Sequence, residues 1–182
     1  MNLTKARRPF QTALLLVCAL ALAGCGFHLR RNASLPAAMQ HIHLTVSGGG
    51  DLQRLLARAL TESGVTVEDD SGPGIAELRV PGAAFSTDTL SAGGYVRITE
   101  YSVHYDVQFS VADADGQTLV PNQRITMSRE YSYDATNTIG NASQVTQIQR
   151  SLNDDMVQAI LFRLQAAGRH ALAVPASAAS AP

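Results

Sequence analysis

The sequence predicts an α/β (α+β) two-layer sandwich, in which a mostly antiparallel or mixed four-stranded sheet carries two helices on one face. First, the stretch from Tyr101 to Val111 alternates between apolar and polar side chains, which is typical of a strand with one covered face. Second, two other segments repeat apolar residues at helical spacing, so each has one stripe to bury. Third, the order of strand, helix, three or so long strands and helix lets the stripes and the sheet face bury one another.

The N-terminus has the pattern of an export signal. Three basic residues open the chain: Lys5, Arg7 and Arg8. The apolar run from Ala13 to Ala23 that follows is shorter than the roughly 20 residues that span a bilayer. The next residues complete Leu22-Ala23-Gly24-Cys25, which resembles the lipobox of bacterial lipoproteins. We therefore predict that residues 1–24 are a lipoprotein signal peptide and that Cys25 is the lipidated residue. The alternative is an ordinary signal peptide with an incidental cysteine.

The likeness to lipoproteins implies N-acyl and S-diacylglycerol groups on Cys25, and several acyl chains make attachment stable where one would be marginal. Residue 26 is Gly and not Asp, which by the same likeness implies export to the outer membrane. Residues 25–40 are then a lipidated tether ahead of the domain.

Composition limits what the mature chain can do. Removal of residues 1–24 leaves 158 residues, enough for one domain with a substantial core. The 14 basic residues fall to eleven against 15 acidic ones, and Lys5 is the only lysine. Because the arginines are scattered and no basic stripe exists, we expect no nucleic-acid partner. The only other cysteine, Cys18, leaves with the signal, so no intramolecular disulfide is expected.

The first half of the domain reads as a strand, a helix and a second stretch of strand. His41 to Val46 alternates in polarity, and the glycine triplet from Gly48 to Gly50 is interpreted as a flexible connection. Asp51 can cap a helix that runs to Leu60 and stops at Gly64. Val65-Thr66-Val67 is only a short apolar segment. Five apolar positions give this helix its stripe: Leu52, Leu55, Leu56, Ala59 and Leu60.

The middle of the chain predicts long strands. A strand starts at Ala76, and Pro81-Gly82 indicates a bulge or an edge position within it. Beyond the turn Ser91 to Gly94, the strand from Val96 to Val111 changes the phase of its alternation, so we predict a bulge or bend near Thr99-Glu100. Residues 113–116, Asp-Ala-Asp-Gly, supply hairpin turn chemistry.

The last strand and helix follow. Thr118 to Tyr133 returns along the sheet, and Arg129 interrupts its apolar face. A long helix is predicted from Gln144 to Ala167, capped by Ser143 or Asn141 and ended by Gly168. Its stripe has five members at four-residue spacing: Ile148, Leu152, Met156, Ile160 and Leu164. Residues 173–182 have nothing to bury and are predicted to be a disordered tail.

The sequence holds few candidates for chemistry. His41 and His43 share one strand face, but no third ligand is evident beyond His104, so polar surface is favoured over metal binding. Asp154 and Asp155 point apart on a helix and form no acid pair. No Gly-x-Ser-x-Gly elbow and no phosphate loop with its lysine is present. We therefore expect no enzyme activity, no cofactor and no metal.

The residues after the lipobox, Cys25-Gly26-Phe27-His28-Leu29-Arg30, resemble the start of the LPS-assembly lipoprotein family LptE, also called RlpB. The element order and the stretch from Arg129 to Asp134 extend the likeness, so that 41–172 is a single LptE-like domain. The resemblance implies an outer-membrane lipoprotein that faces the periplasm and lies within the lumen of the LptD β-barrel. It would plug and help assemble that barrel for lipopolysaccharide transport into the outer leaflet.

The resemblance also implies direct lipopolysaccharide binding by basic residues, and here Arg97 and Arg129 are the nearest candidates. The alternative for both arginines is a solvated or cross-strand-paired residue. The alternative for the whole chain is an unrelated outer-membrane lipoprotein that binds another envelope component.

Overall fold

The computed structural model describes residues 35–91, 98–134 and 136–173. After a 3-10 turn at Ala37–Met39, seven helices and strands follow in chain order: β1 (His41–Gly48), α1 (Leu52–Glu62), β2 (Thr66–Glu68), β3 (Ala76–Ser91), β4 (Ile98–Ala112), β5 (Thr118–Asp134) and α2 (Thr138–Ala173). The signal segment, Cys25, Arg97 and residues 174–182 lie outside the described residues. No helix in the described ranges is both long and apolar enough to cross a membrane.

The five strands form one mixed sheet in the order β2-β1-β3-β4-β5. β1 is parallel to both of its neighbours, whereas β3, β4 and β5 are antiparallel. The predicted two-layer sandwich is confirmed, but the sheet has five strands where four were predicted. The additional strand is β2, whose pairing with β1 runs from His41↔Thr66 to His43↔Glu68. Three residues are too few to show an alternating pattern, so only its partner identifies it as a strand.

Both helices pack on the same face of the sheet. The predicted stripe of α1 is buried, with Leu52, Leu56 and Leu60 all at 0% exposure. The stripe of α2 is buried from Leu152 onward, and β4 contributes its odd-numbered residues from Val103 to Val111. The alternation in β4 and the helical spacing in α1 and α2 therefore predict correctly which side of each element is buried in the core.

The Gly48–Gly50 triplet is a packed corner and not the flexible connection predicted for it. All three glycines have positive φ, and the carbonyl of Gly49 accepts the N–H of Leu52 at 3.1 Å as α1 begins. A Cβ on Gly49 would lie 2.7 Å from Ala83 Cβ and 2.9 Å from the Tyr105 hydroxyl. Asp51 occupies the N-cap position but makes no capping bond, since its carboxylate pairs with Arg54 at 3.2 Å.

Two irregularities lie in β3. Its register against β4 shifts between Arg79 and Gly82, which confirms the bulge predicted at Pro81-Gly82. A second shift lies between Thr89 and Ser91. The bulge predicted near Thr99-Glu100 is therefore on the facing strand, because β4 itself keeps unbroken register with β5 from Ile98 to Phe109.

Helix α2 is longer at both ends than predicted. It begins at Thr138 instead of Gln144, and the Asn137 side chain accepts the N–H of Gly140 at 3.0 Å. It also continues through Gly168 to Ala173. A Cβ at Gly168 would overlap the ring of Pro36. Gly168 thus permits close packing inside the helix, and the prediction that it ends the helix is wrong.

Candidate functional site

The uncovered face of the sheet, here called the open face, carries polar side chains and no second layer among the described residues. Half of its members on the last two strands carry a hydroxyl, and two of its titratable side chains, Asp106 and His104, have polar partners. The Thr126 hydroxyl donates to Asp106 Oδ1 at 2.5 Å, and His104 Nε2 lies 3.3 Å from Asp88 Oδ2. The members from β4 and β5 are Ser102, which is buried at 3% exposure, and His104, Asp106, Gln108, Ser110, Arg124, Thr126, Ser128, Glu130 and Ser132. Such a surface is suited to hydrogen bonding with another polar wall.

The histidines of β1 belong to this surface, and each has a polar neighbour there. His41 Nδ1 lies 2.8 Å from Glu68 Oε1, and His43 Nδ1 lies 3.2 Å from the Glu68 carbonyl oxygen. His43 Nε2 is in turn 3.3 Å from the Thr45 hydroxyl. Across residues 35–91, 98–134 and 136–173, no group of three or more His, Cys, Asp or Glu side chains could hold a metal ion.

Arg129 lies on the helix-covered side of the sheet, opposite Val103 of β4. Its Nη2 donates to Asp155 Oδ2 of α2 at 2.7 Å, with the two side chains 47% and 50% exposed. The sequence reading missed Asp155 as a partner because the two residues are 26 positions apart. Arg129 thus links the edge strand to the helix, and its guanidinium remains half accessible.

Beyond Arg129, three tyrosines form a cluster on the same face. Tyr101 stacks on Tyr131 at a centroid distance of 5.5 Å and meets Tyr133 edge-on at 5.7 Å. Burial, and then the neighbouring Tyr101 and Tyr133, raise the pKa of Tyr131 above its ordinary value. The cluster extends the apolar face of the sheet past the buried core.

The corner between β5 and α2 is tightly hydrogen-bonded. Asn141, predicted as a cap, lies inside α2 at 7% exposure. Its Nδ2 donates to the Asp134 carbonyl at 2.7 Å, and its Oδ1 accepts the Asp134 N–H at 3.2 Å. The Thr136 hydroxyl and N–H both donate to Asp134 Oδ1 and lower the pKa of that carboxyl. The helix therefore binds the backbone at the end of the edge strand.

The Arg129–Asp155 pair should contribute little to stability. We expect Arg129→Ala and Asp155→Ala each to lower the free energy of unfolding by about 0.5 kcal/mol, because exposed ion pairs are screened by water. A double-mutant cycle from urea unfolding measures the coupling, which should shrink in 1 M salt. A coupling of about 3 kcal/mol would contradict this expectation and indicate a desolvated pair.

Comparisons with known proteins agree on one family. A family model described as "LptE: Lipopolysaccharide-assembly" matches residues 39–164. An LPS-assembly lipoprotein LptE from Photorhabdus laumondii is 28% identical over 153 residues, covering 80% of this chain and 84% of that protein. The protein of the same name from Yersinia enterocolitica is 27% identical over 153 residues, covering 83% of this chain and 73% of that protein.

Two solved structures share the fold. The crystal structure of a minor lipoprotein from Acinetobacter baumannii is 25% identical, with a TM-score of 0.60 over 72% of this chain and 94% of that chain. The solution structure of a lipoprotein B from Nitrosomonas europaea is 22% identical, with a TM-score of 0.66 over 80% and 96%. At that identity the second shows the fold alone.

Proposed function

The chain belongs to the LptE family of lipopolysaccharide-assembly proteins, and from this premise we propose that it is an outer-membrane lipoprotein that plugs the LptD β-barrel. It is a lipoprotein with a role in lipopolysaccharide assembly, and the family is not enzymatic, so the expectation of no catalytic activity is confirmed. The finer proposal is that it binds LptD, helps that barrel assemble and supports transfer of lipopolysaccharide to the outer leaflet.

The observation that carries the proposal is the open face. A sheet whose one side is buried under two helices and whose other side is lined with hydroxyls has a ready surface for a polar wall. The lumen of a large outer-membrane barrel is such a wall. The hydrogen bonds already formed on the open face, such as Thr126 to Asp106, hold these side chains in place.

The anchor and the lipid contacts belong to the same proposal. Cys25 would hold the acyl chains, and Gly26 would direct the protein to the outer membrane. Arg97 and Arg129 remain the proposed contacts for lipopolysaccharide phosphates, which guanidinium groups bind in bidentate fashion. For Arg129, such a contact requires that the guanidinium share or leave Asp155.

Native purification from outer membranes tests the proposal. We expect the full-length protein to bring down a barrel far larger than its own 19.3 kDa. Depletion should stop lipopolysaccharide from reaching the cell surface. A monomer recovered alone, together with normal lipopolysaccharide export after depletion, would favour the unrelated lipoprotein instead.

Cys25→Ala tests the anchor separately. We expect an uncleaved precursor held by residues 1–24, because the residue that receives the lipid is gone. Metabolic labelling with a radioactive fatty acid, followed by gel analysis, measures this. Cys18→Ala is the matched control and should label like the wild type. Fatty-acid label on the Cys25→Ala protein would refute the lipidation site.

A further inference from the structure

Strand β5 is the last strand of the sheet, so one of its two backbone edges has no neighbouring strand among residues 35–91, 98–134 and 136–173. Its register with β4 is unbroken from Gln123 to Asp134. In such a pair, the backbone N–H and C=O of successive residues point alternately toward the partner strand and away from it. One parity of residues along β5 therefore directs its hydrogen-bonding groups outward.

Two contacts with α2 show that the even-numbered residues of β5 direct their backbone N–H and C=O groups outward. Arg163 Nη1 donates to the carbonyl oxygen of Arg124 at 3.2 Å. At the other end of the strand, the Asn141 side chain binds both the N–H and the C=O of Asp134. Arg124 and Asp134 are both even-numbered. Because their backbone groups point toward α2, they point away from β4. Helix α2 therefore satisfies the outward C=O of Arg124 at one end of the edge and both the N–H and the C=O of Asp134 at the other.

Between these ends lies a stretch whose outward backbone groups no described residue satisfies. The outward N–H and C=O groups of Thr126, Ser128, Glu130 and Ser132 have no partner in the described part of the chain, and all four residues are exposed. We call this stretch the open edge. Proteins usually cover, shorten or disrupt an edge of this length, because it is a template for another strand.

A groove runs beside the open edge. It has a volume of about 310 Å³ and is formed by Arg129 and Glu130 on one side and the N-terminal half of α2 on the other. The helix wall presents two glutamines, a serine and one apolar residue: Gln144, Gln147, Ser151 and Ile148. An extended chain lying there would have unpaired backbone on one side and amide side chains on the other.

We propose that the open edge receives an extended segment of the barrel partner, which adds to the sheet as a sixth strand along residues 126–132. This inference rests on the proposed function, which supplies the partner. Backbone hydrogen bonds along the edge provide the binding, as in other cases of strand addition. The strand then occupies the groove against α2.

The side chains of β5 indicate which residues the incoming strand should carry on each of its two faces. On the open face it meets Ser128, Glu130 and Ser132, which favour hydroxyl residues and one basic residue opposite Glu130. On the other face it meets Met127, Arg129 and Tyr131, which favour small apolar residues and one acidic residue opposite Arg129. The segment is therefore about seven residues long and alternates in polarity.

A second copy of this chain fits the edge less well. An antiparallel two-fold pairing of the open edge with itself is centred on residue 129. It would place the two Arg129 side chains directly opposite each other, and like charges in that position are unfavourable. We therefore assign the edge to a different polypeptide.

Ser128→Pro tests the proposal with little damage to the fold. The Ser128 N–H points away from β4, so a proline there leaves the β4–β5 ladder intact, as edge strands tolerate. It removes one outward donor and places a ring where the added strand must lie. Ser128→Ala is the matched control, because it keeps the backbone and removes only the hydroxyl.

The experiment uses the full-length protein co-expressed with its barrel. We expect wild type and Ser128→Ala to recover the same amount of barrel and Ser128→Pro to recover about tenfold less, since a lost hydrogen bond and a steric clash each weaken the contact. Hydrogen exchange of the isolated protein and of the complex gives a second readout. In the complex, the amides of residues 126, 128, 130 and 132 should exchange about tenfold more slowly or slower still.

The outcomes separate the two proposals. If wild type recovers no barrel, the proposed function fails and this inference falls with it. If wild type and Ser128→Pro recover equal barrel and the four amides are not slowed, the edge proposal fails while the proposed function stands. If Ser128→Pro does not fold, hydrogen exchange of the wild-type complex tests the edge proposal: slowed exchange of the four amides supports it, and unchanged exchange contradicts it. If lipopolysaccharide alone slows exchange of the four amides, the edge binds glycolipid instead. If exchange slows as the concentration of the isolated protein rises, the edge binds a second copy.

Discussion

Ile160→Ala is expected to lower the free energy of unfolding by about 3 kcal/mol, within the roughly 2–5 kcal/mol range of buried large-to-small changes. Ile160 lies in the centre of the α2 stripe at 0% exposure. The substitution removes three carbons from a site closed by the sheet below, and the cavity cannot collapse without moving the helix. The gain in helix propensity from Ile to Ala, a few tenths of a kcal/mol, offsets only a small part.

Phe162→Ala is the matched control on the same helix. Its side chain is larger, but it is 59% exposed, so we expect a change within about 0.5 kcal/mol. Urea unfolding of residues 25–182, followed by circular dichroism, measures both variants. Equal losses for the two would mean that α2 packs with a different face toward the sheet.

Gly49→Ala is expected to cost about 3 kcal/mol, although the chain gains only one methyl group. Two effects add. The residue has φ +73°, where an alanine is strained by about 1–2 kcal/mol. The new Cβ would also lie 2.7 Å from Ala83 Cβ and 2.9 Å from the Tyr105 hydroxyl, and overpacking of this kind costs roughly 1–3 kcal/mol.

Gly50→Ala separates the two effects. Gly50 has the same left-handed backbone, with φ +57°, but a Cβ there meets nothing within 4 Å. It should cost only about 1 kcal/mol, the conformational part. Thermal unfolding of both variants is the measurement. If Gly50→Ala is as damaging as Gly49→Ala, backbone strain alone explains both and the close packing at Gly49 has no energetic weight.

A second substitution checks the clash itself. The Tyr105 hydroxyl is buried and has no hydrogen-bond partner among the residues that the structure describes, and burial raises the pKa of Tyr105 to about 12. Tyr105→Phe removes that oxygen and should partly restore the stability of Gly49→Ala. If Tyr105→Phe restores none of the stability lost in Gly49→Ala, the new Cβ clashes with Ala83 alone.

Much of the fold could be predicted because its signals are local and periodic. The alternation of β4 and the four-residue spacing of α2 each report which side of an element is buried, and these elements are long enough for the pattern to be read. Turn chemistry at residues 113–116 was also local: Asp113 Oδ1 accepts the N–H groups of Asp115 and Gln117. The bulge at Pro81 followed from the missing N–H of proline.

The errors concern residues whose role depends on a distant neighbour. Gly168 resembles a helix stop, but Pro36 lies against it and α2 continues. Gly49 resembles part of a linker, but β3 packs on it. β2 became a strand only through its pairing with β1. The partner of Arg129 is Asp155, which lies 26 positions away and which no local pattern links to Arg129.

The sequence by itself therefore determined the class of fold, the buried stripes, the absence of a metal or catalytic motif and the resemblance to the LptE family. These depend on residue type and spacing along the chain. Only the tertiary structure decided that β5 is the edge of the described sheet and that α2 contacts its two ends through Arg163 and Asn141. It also decided that the four residues between have no outward backbone partner among the described residues. The reason is physical: whether a backbone group is satisfied depends on which chain segment lies beside it, and no local pattern encodes that neighbour.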